Sequence, residues 1–418
     1  MFRRTLILIT ISLFQLSFFG LLPREIKILG DILFICLIIY LVIKYSRYLK
    51  ENNANINGAP KFPKYFTLLF FLYVIFQILY SCVLWGEPLY VLQEGRRWFI
   101  AALYFYLIVS GYSILFDYKI ITKFIYIMSF VIIINVLLLK AGINFPSAES
   151  TWQEQGGILV FKPFVPGSFI LYIAFVYSTI RTFTYEFSVK RRLFNLFLSF
   201  ILLVINITLI PFRAWVICSL FAVIISLLIF YFSLLKIKSM LRWVFLFSSI
   251  SFVIIYTGFA SNSINWISSA FVEEQSMEGD YLVRYLRDVS KLEILNAREI
   301  YLIDGIGFVH RSSEAAEQIG FSSETNDTGW VEILLTGGLV GTIVFFMFYL
   351  SVLIYFAKLF ISLKYRPFLG LLSVWITAGL LFISSNLLLW DFGFIPISLA
   401  TITILSKYNQ YEENNNSW

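Results

Sequence analysis

Residues 214–235 read AWVICSLFAVIISLLIFYFSLL and contain no charged side chain. A helix of this length rises far enough to cross a hydrocarbon core about 30 Å thick. Eleven other runs have the same apolar character: 5–22, 28–45, 65–85, 98–116, 120–141, 164–180, 193–210, 241–260, 330–357, 367–388 and 390–406. The pattern predicts an all-α, polytopic membrane helix bundle with about twelve transmembrane helices.

The composition of the whole chain supports the prediction of a membrane protein. Of the 418 residues, 59% are hydrophobic and only 14% are charged, whereas soluble domains carry about 25% charged residues. This balance excludes a water-soluble globule, a disordered chain, a DNA-binding module and a secreted disulfide scaffold. Residues 20–24 offer no small-x-small cleavage site, so the first run is interpreted as a helix and not as a signal peptide.

The runs divide the chain into four parts. We expect nine transmembrane helices in 1–260, a large external loop with an interfacial helix in 261–329, three further helices in 330–406, and a cytoplasmic tail in 407–418. With the N-terminus inside, 20 of the 32 basic residues and only five of the 25 acidic residues fall in cytoplasmic segments. This positive-inside bias predicts that both termini are cytoplasmic, and it assigns the net charge of +7 to cytoplasmic loops and not to a nucleic-acid partner.

Metal and disulfide chemistry are not predicted. Cys36, Cys82 and Cys218 fall in apolar runs at unrelated spacings, which favours a packing role. His310 is the one histidine, so a zinc site with several histidine ligands is excluded. We therefore expect no cofactor.

The loop at 261–329 carries most of the external charge. Residues 281–303 have helical periodicity, with an apolar face and an opposite basic face, which together suit a helix lying on the membrane surface. The apolar face comprises Leu282, Leu286, Val289 and Ile300, and the basic face comprises Arg284, Arg287, Lys291 and Arg298. The basic row could bind a phosphorylated substrate or could contact lipid phosphates alone.

Other arginines lie at predicted membrane edges. Arg96 and Arg97 precede the run at 98–116, and Arg213 lies between two apolar runs with almost no loop. An arginine at the outer edge opposes the positive-inside trend, and its guanidinium suits bidentate capture of phosphate. These positions are candidate substrate contacts.

Four motifs follow one another along the second half of the chain. They are Arg284, DGIG at 304–307, NDTGW at 326–330, and GLVG at 338–341. Their order and spacing resemble the O-antigen polymerase and O-antigen ligase family, as do the twelve apolar runs and the single large loop between the ninth and tenth. Ligases of this family typically have a His-Asn pair about ten residues before Gly-x-x-Gly. Here that slot holds Asp327, which is more similar to the polymerases.

The resemblance implies a metal-independent glycosyltransferase that polymerises undecaprenyl-diphosphate-linked repeat units of O-antigen or capsule. Arg284 and Arg213 would hold the diphosphate, and Asp327 would act as the base, with Glu324 as the alternative. The remaining expected substrate contacts are Arg287, Arg96, Arg97, Lys291, His310 and Glu324. The expected partners are membrane lipid, the lipid-linked substrates, a chain-length regulator and a flippase, in a bacterial inner membrane with the site on the external face.

Two other functions stay open from the sequence. An O-antigen ligase would transfer the glycan to a lipid A core. A lipid-linked-sugar flippase or other twelve-helix transporter would have the same hydrophobicity, but we would then expect two repeated halves, and the halves do not repeat.

Overall fold

The computed structural model describes residues 21–23, seven helical positions between 28 and 43, and then 61–107, 118–155, 158–184, 189–210, 212–233, 279–310, 312–320, 329–363 and 366–384. Helices account for 81% of the described residues. In chain order they are α1 (Lys61–Trp85), α2 (Pro88–Leu107), α3 (Tyr118–Lys140), α4 (Ile170–Thr184), α5 (Val189–Thr208), α6 (Arg213–Ser233), α7 (Gly279–Asn296), α8 (Glu299–Asp304), α9 (Glu314–Gln318), α10 (Gly329–Leu363) and α11 (Arg366–Ser384). Two strands, β1 (Glu149–Gln155) and β2 (Ile158–Phe164), lie between α3 and α4.

Among the described residues, three helices are long and apolar enough to cross a membrane. Their spanning segments are Tyr65–Trp85 in α1, Ala214–Phe232 in α6 and Gly329–Ile354 in α10. Shorter apolar segments occur in α3, α4, α5 and α11. The structure therefore supports a membrane protein, and the expected count of about twelve spans goes beyond what it describes.

The two faces of α1 differ in the way expected of a helix in lipid. From 69 to 83 its exposed face is apolar and includes Leu79 and Val83, which are 61% and 87% exposed. Its inner face is buried and includes the polar side chains of Gln77 and Ser81. Lipid is as apolar as leucine, so polar groups of a spanning helix are satisfied on the protein side.

The helix α4 lies at the centre of the bundle. Every side chain from 170 to 177 is buried, and α4 contacts α3, α5, α6 and α11. Polar bonds hold it to α5 and to the turn that follows: Asn206 donates to the Leu171 carbonyl, and the Tyr172 hydroxyl donates to the Ile210 carbonyl. The core extends to α1 and α10 through aromatic pairs such as Phe70 and Phe348, whose rings stack 4.7 Å apart.

Most of the predicted helices in the described ranges are confirmed to within a few residues, but two boundaries are wrong. The helix predicted at 98–116 begins at Pro88, so Arg96 and Arg97 lie inside α2 and not before it, and 108–116 lie outside the described residues. The helix predicted at 164–180 begins only at Ile170, because Pro166 and Gly167 form a turn.

A β-hairpin corrects the all-α prediction. β1 and β2 pair antiparallel, with Glu149 opposite Phe164 and Gln155 opposite Ile158. Two glycines separate the strands in the sequence, which is a strong hairpin signal. The described part of the chain is thus a helical bundle with one hairpin.

Several predicted segments lie outside the described residues. They are the helix at 5–22 apart from its last two residues, most of the helix at 28–45, the helices at 241–260 and 390–406, and the tail at 407–418.

Candidate functional site

The turn after α8 docks against a break in α10. Gly338 has non-helical backbone angles, with φ 59° and ψ −160°, and it divides α10 into two segments. Just before the break, the Leu335 carbonyl accepts a hydrogen bond from the Ile306 N–H at 2.8 Å, and the Thr336 carbonyl accepts one from the Gly307 N–H at 3.0 Å. The turn thus donates backbone N–H hydrogen bonds to carbonyls of α10 at the position where the helix is interrupted.

Glycine is required on both sides of this contact. Gly305 and Gly338 both have positive φ, 77° and 59°, which other residues rarely adopt. A Cβ on Gly305 would lie 2.3 Å from the Thr336 carbonyl oxygen, and a Cβ on Gly338 would lie 2.3 Å from the Ile303 carbonyl oxygen. The two glycine motifs identified in the sequence are therefore two halves of one backbone contact.

Polar side chains of α1 also bind backbone carbonyls of the two segments that meet here. The Gln77 Nε2 atom donates to the carbonyls of Asp304 at 2.9 Å and Thr336 at 2.6 Å. The Tyr73 hydroxyl donates to the Gly337 carbonyl at 2.9 Å. Gln77 thus joins the two glycine segments in a single hydrogen-bond network.

Nearer the end of α1, two further side chains complete this network. The Trp85 Nε1 atom donates to the Ile306 carbonyl at 2.8 Å. The Ser81 hydroxyl accepts from the Phe308 N–H at 2.8 Å. We call this assembly the glycine junction; it comprises 304–308, 335–338, Tyr73, Gln77, Ser81 and Trp85.

A buried ion pair lies beyond the junction. Lys291 of α7 is only 1% exposed, and its Nζ lies 3.6 Å from Oε2 of Glu332 in the first turn of α10. Charged side chains are seldom buried unless they are paired. The pair therefore fixes α7 against the beginning of α10.

The position of Lys291 corrects the predicted exposed cationic face. The side chain points into the protein, and Leu286 on the predicted apolar face is 55% exposed. Helical periodicity places the backbone positions of Arg284 and Arg287 on the same face of α7 as Lys291. Of the predicted basic face, Lys291 is thus shown to point inward.

The helix predicted at 281–303 is also interrupted. α7 ends at Asn296, and α8 begins at Glu299. Arg298 lies in the break with its guanidinium 5.4 Å from the centre of the Tyr301 ring. The predicted basic row therefore does not continue to Arg298.

His310 lies in a polar cluster on α2. Its Nε2 is 3.7 Å from Oε1 of Glu94 and 3.1 Å from the Gln93 amide, and its ring stacks on Tyr90 with centroids 5.2 Å apart. Its Nδ1 accepts a hydrogen bond from the Ser312 N–H at 3.1 Å. Contacts at both ring nitrogens and on the face of the ring thus hold His310 beside α2.

The segment after His310 is held to α2 by a carboxylate. Glu87 accepts hydrogen bonds from the backbone N–H groups of Glu314 at 3.0 Å and Ala315 at 3.2 Å. Ser313 caps the same short helix by accepting from the Ala316 N–H. Glu87 thereby fixes α9 beside the beginning of α2.

The other predicted site residues are placed less completely. Arg213 is the first residue of α6, and Arg97 lies in α2, where Arg96 is half-buried. Asp327 and Glu324 lie outside the described residues. The structure thus places His310 against α2 and Lys291 against α10. The roles in binding or catalysis stay predictions for Arg284, Arg287, Arg213, Arg97, Asp327 and Glu324.

Sequence reasoning missed three acidic residues. Glu332 pairs with Lys291, Glu94 contacts His310 and lies close enough to Glu332 for their like charges to repel, and Glu87 caps α9. Glu332 could be found from the sequence, because an ionisable residue in the first turn of an otherwise apolar span is energetically costly to retain. The partners of Glu94 and Glu87 are more than 200 residues away in the chain, and no local pattern reveals them.

Comparison of the chain with protein-family models and with curated proteins finds no match.

Proposed function

We propose that the protein is a membrane glycosyltransferase that polymerises undecaprenyl-diphosphate-linked repeat units into O-antigen or capsular polysaccharide. The growing glycan leaves its diphosphate carrier and is joined to a hydroxyl of a second lipid-linked repeat unit. The support comes from the order of motifs in the sequence and from the contacts that link them.

The observation that carries the proposal is the Lys291–Glu332 pair, at 3.6 Å. Arg284 precedes Lys291 by two helical turns, about 10 Å along α7. Glu332 lies five residues after Asp327 in the sequence. The pair therefore supports a site in which the arginine-bearing helix lies beside the segment that contains the proposed base.

The chemistry required is an electrostatic and acid–base problem. Negative charge develops on the departing diphosphate, and arginines already in position stabilise it without a metal. The acceptor hydroxyl needs a base within hydrogen-bond reach, and a carboxylate at Asp327 supplies one. We assign diphosphate binding to Arg284 and Arg213, and proton removal to Asp327.

The membrane arrangement is also part of the proposal. We place about twelve spans in a bacterial inner membrane, with both termini cytoplasmic and the site on the external face, where flipped lipid-linked repeats are available. The charge distribution along the sequence and the three spans described support this arrangement. A flippase that supplies the substrate and a chain-length regulator are the expected partners.

The first experiment is deletion of the gene followed by gel analysis of surface glycan. We expect the long-chain ladder to collapse to a single repeat and to return with the wild-type gene. A ladder unchanged by deletion would rule out polymerisation. Full-length polymer that accumulates on the lipid carrier would identify a ligase instead.

The second experiment locates the site in the same strain. Arg284→Ala and Arg213→Ala should each abolish the ladder at normal protein level, and lysine should rescue poorly because it lacks the planar guanidinium fork. Lys190→Ala, at an exposed position in α5, is the matched control. The purified protein in detergent should lengthen lipid-linked repeats, which a flippase would not do.

A further inference from the structure

The glycine junction lies inside the membrane-spanning segment of α1 and not at its end. Gln77 and Ser81, which bind it, are eight and four residues before Trp85, the last residue of the span. On the opposite face of the same turns, Phe76, Leu79 and Val83 are 52%, 61% and 87% exposed. A row of exposed apolar side chains on a spanning helix faces lipid, so the junction is level with the hydrocarbon and not above it.

The α10 side of the junction gives the same depth. The break at Gly338 lies nine residues after Gly329, the first residue of that span, or about 13 Å along the helix. Leu339, Val340 and Ile343 follow the break and are 40–57% exposed. The contact is therefore well inside the apolar segment of this helix as well.

The short helix α8, which enters the junction, also exposes apolar side chains. Ile300, Leu302 and Ile303 are 49%, 39% and 52% exposed, whereas Tyr301 between them is buried. The Ile303 carbonyl oxygen lies against Gly338, so α8 ends beside the part of α10 where Leu339 and Val340 are also exposed. Exposing such an apolar surface to water costs free energy, whereas exposing it to lipid does not.

The backbone of the turn meets the condition that hydrocarbon imposes. Non-helical backbone is tolerated at membrane depth only where the protein satisfies its polar groups. The N–H groups of Gly305, Ile306, Gly307 and Phe308 and the carbonyls of Asp304 and Ile306 all have hydrogen-bond partners within the protein.

From these observations we infer that residues 299–308 form a re-entrant segment. It enters the hydrocarbon from the side of the membrane on which α7 lies, turns at the glycine junction between α1 and α10, and returns toward His310. Its outer face, formed by Ile300, Leu302 and Ile303, contacts lipid acyl chains. The inference rests on depth and packing and is independent of glycosyl transfer.

The test measures the depth of single positions in liposomes. In a full-length variant with Cys36, Cys82 and Cys218 replaced by alanine, spin labels are placed at Ile303→Cys, at Leu79→Cys as the lipid-facing control, and at Glu317→Cys as the exposed control on α9. We expect the label at 303 to collide with oxygen and to be shielded from a water-soluble nickel chelate, as at 79. The label at 317 should show the opposite preference.

Nickel accessibility at 303 equal to that at 317 would overturn the inference. If Ile303→Cys fails to fold, Ile300→Cys carries the same test, because it is exposed on the same helix at the entry to the segment. Brominated lipids should then quench a fluorophore at 300, and unquenched fluorescence at this position would also contradict a re-entrant segment. Glycan synthesis is not a readout of either measurement.

Discussion

Gly338 illustrates how single residues determine this structure, because its conformation and its neighbours both exclude a side chain. A Cβ at this position meets the Ile303 carbonyl carbon and oxygen and the Gly305 nitrogen within 2.5 Å, and all of these are backbone atoms that cannot rotate away. We expect Gly338→Ala to lower the free energy of unfolding by more than about 3 kcal/mol. Chemical denaturation in detergent measures the change.

Gly142→Ala is the matched control for that experiment. Gly142 also has positive φ, 89°, but an added Cβ meets no atom within 4 Å among the described residues. Backbone strain alone should cost about 1 kcal/mol. Equal losses from the two variants would show that close packing at the junction contributes nothing.

The Lys291–Glu332 pair gives a second prediction at the same scale. Lys291→Met leaves a carboxylate in a buried position and should destabilise the protein by about 3–5 kcal/mol. The double variant Lys291→Met with Glu332→Leu removes both charges and should recover most of that loss. Glu293→Gln, at an exposed position of α7, is the control and should be nearly neutral.

A double variant less stable than Lys291→Met would contradict the pairing. The stability of the wild type and the three variants can be ranked by thermal unfolding. The measured quantity is the amount of purified protein that stays monodisperse after heating.

The predictability of the site also differs from residue to residue. The glycines at 305, 307 and 338 stand out in the sequence, because glycine marks positive φ or close approach of backbones. Their contact with one another, and the inward direction of Lys291, depend on how α7, α8 and α10 pack. Periodicity gives the face of a helix on which a residue lies, but it does not say which face is turned toward the protein.

At the scale of elements, α9 depends on the side chain of Glu87, the residue just before α2. Glu87→Gln removes the charge that accepts two backbone N–H groups of α9, and we expect faster amide exchange over 314–318 with a local loss of about 1 kcal/mol. Exchange in α4 should not change. Hydrogen–deuterium exchange with mass spectrometry measures both, and unchanged protection of α9 would mean that Glu87 does not hold it.

Long apolar helices could be predicted from the sequence, and the exceptions have physical causes. The runs at 65–85, 120–141 and 214–235 coincide closely with α1, α3 and α6. A hydropathy pattern does not detect the beginning of α2, because Glu94, Arg96 and Arg97 lie in its first three turns. Charged residues lower the hydropathy below that of a predicted span. The charge of Glu94 is accommodated by its contact with His310, which is invisible in a local window.

At the scale of the whole molecule, the proposed topology is testable without knowledge of the activity. Reporters fused after Lys190, Lys238 and Lys364 should be active in the cytoplasm, and one near Glu314 should be active outside, as the positive-inside distribution requires. Paired phosphatase and fluorescent-protein fusions read the two sides. A cytoplasmic signal near Glu314 would place α9 on the wrong side for a polymerase and would contradict the proposed function.

The glycine junction has a consequence for the order of biosynthesis. Gln77 leaves the ribosome 227 residues before its partner Asp304, which at about 5–20 residues per second is a delay of roughly 11–45 s. During that time α1 is in the membrane with the amide of Gln77 still without the carbonyls that it binds in the finished protein. The polar face of α1 is therefore in the membrane for roughly 11–45 s before its partner is made, which is time in which the translocon or an insertion chaperone can shield it.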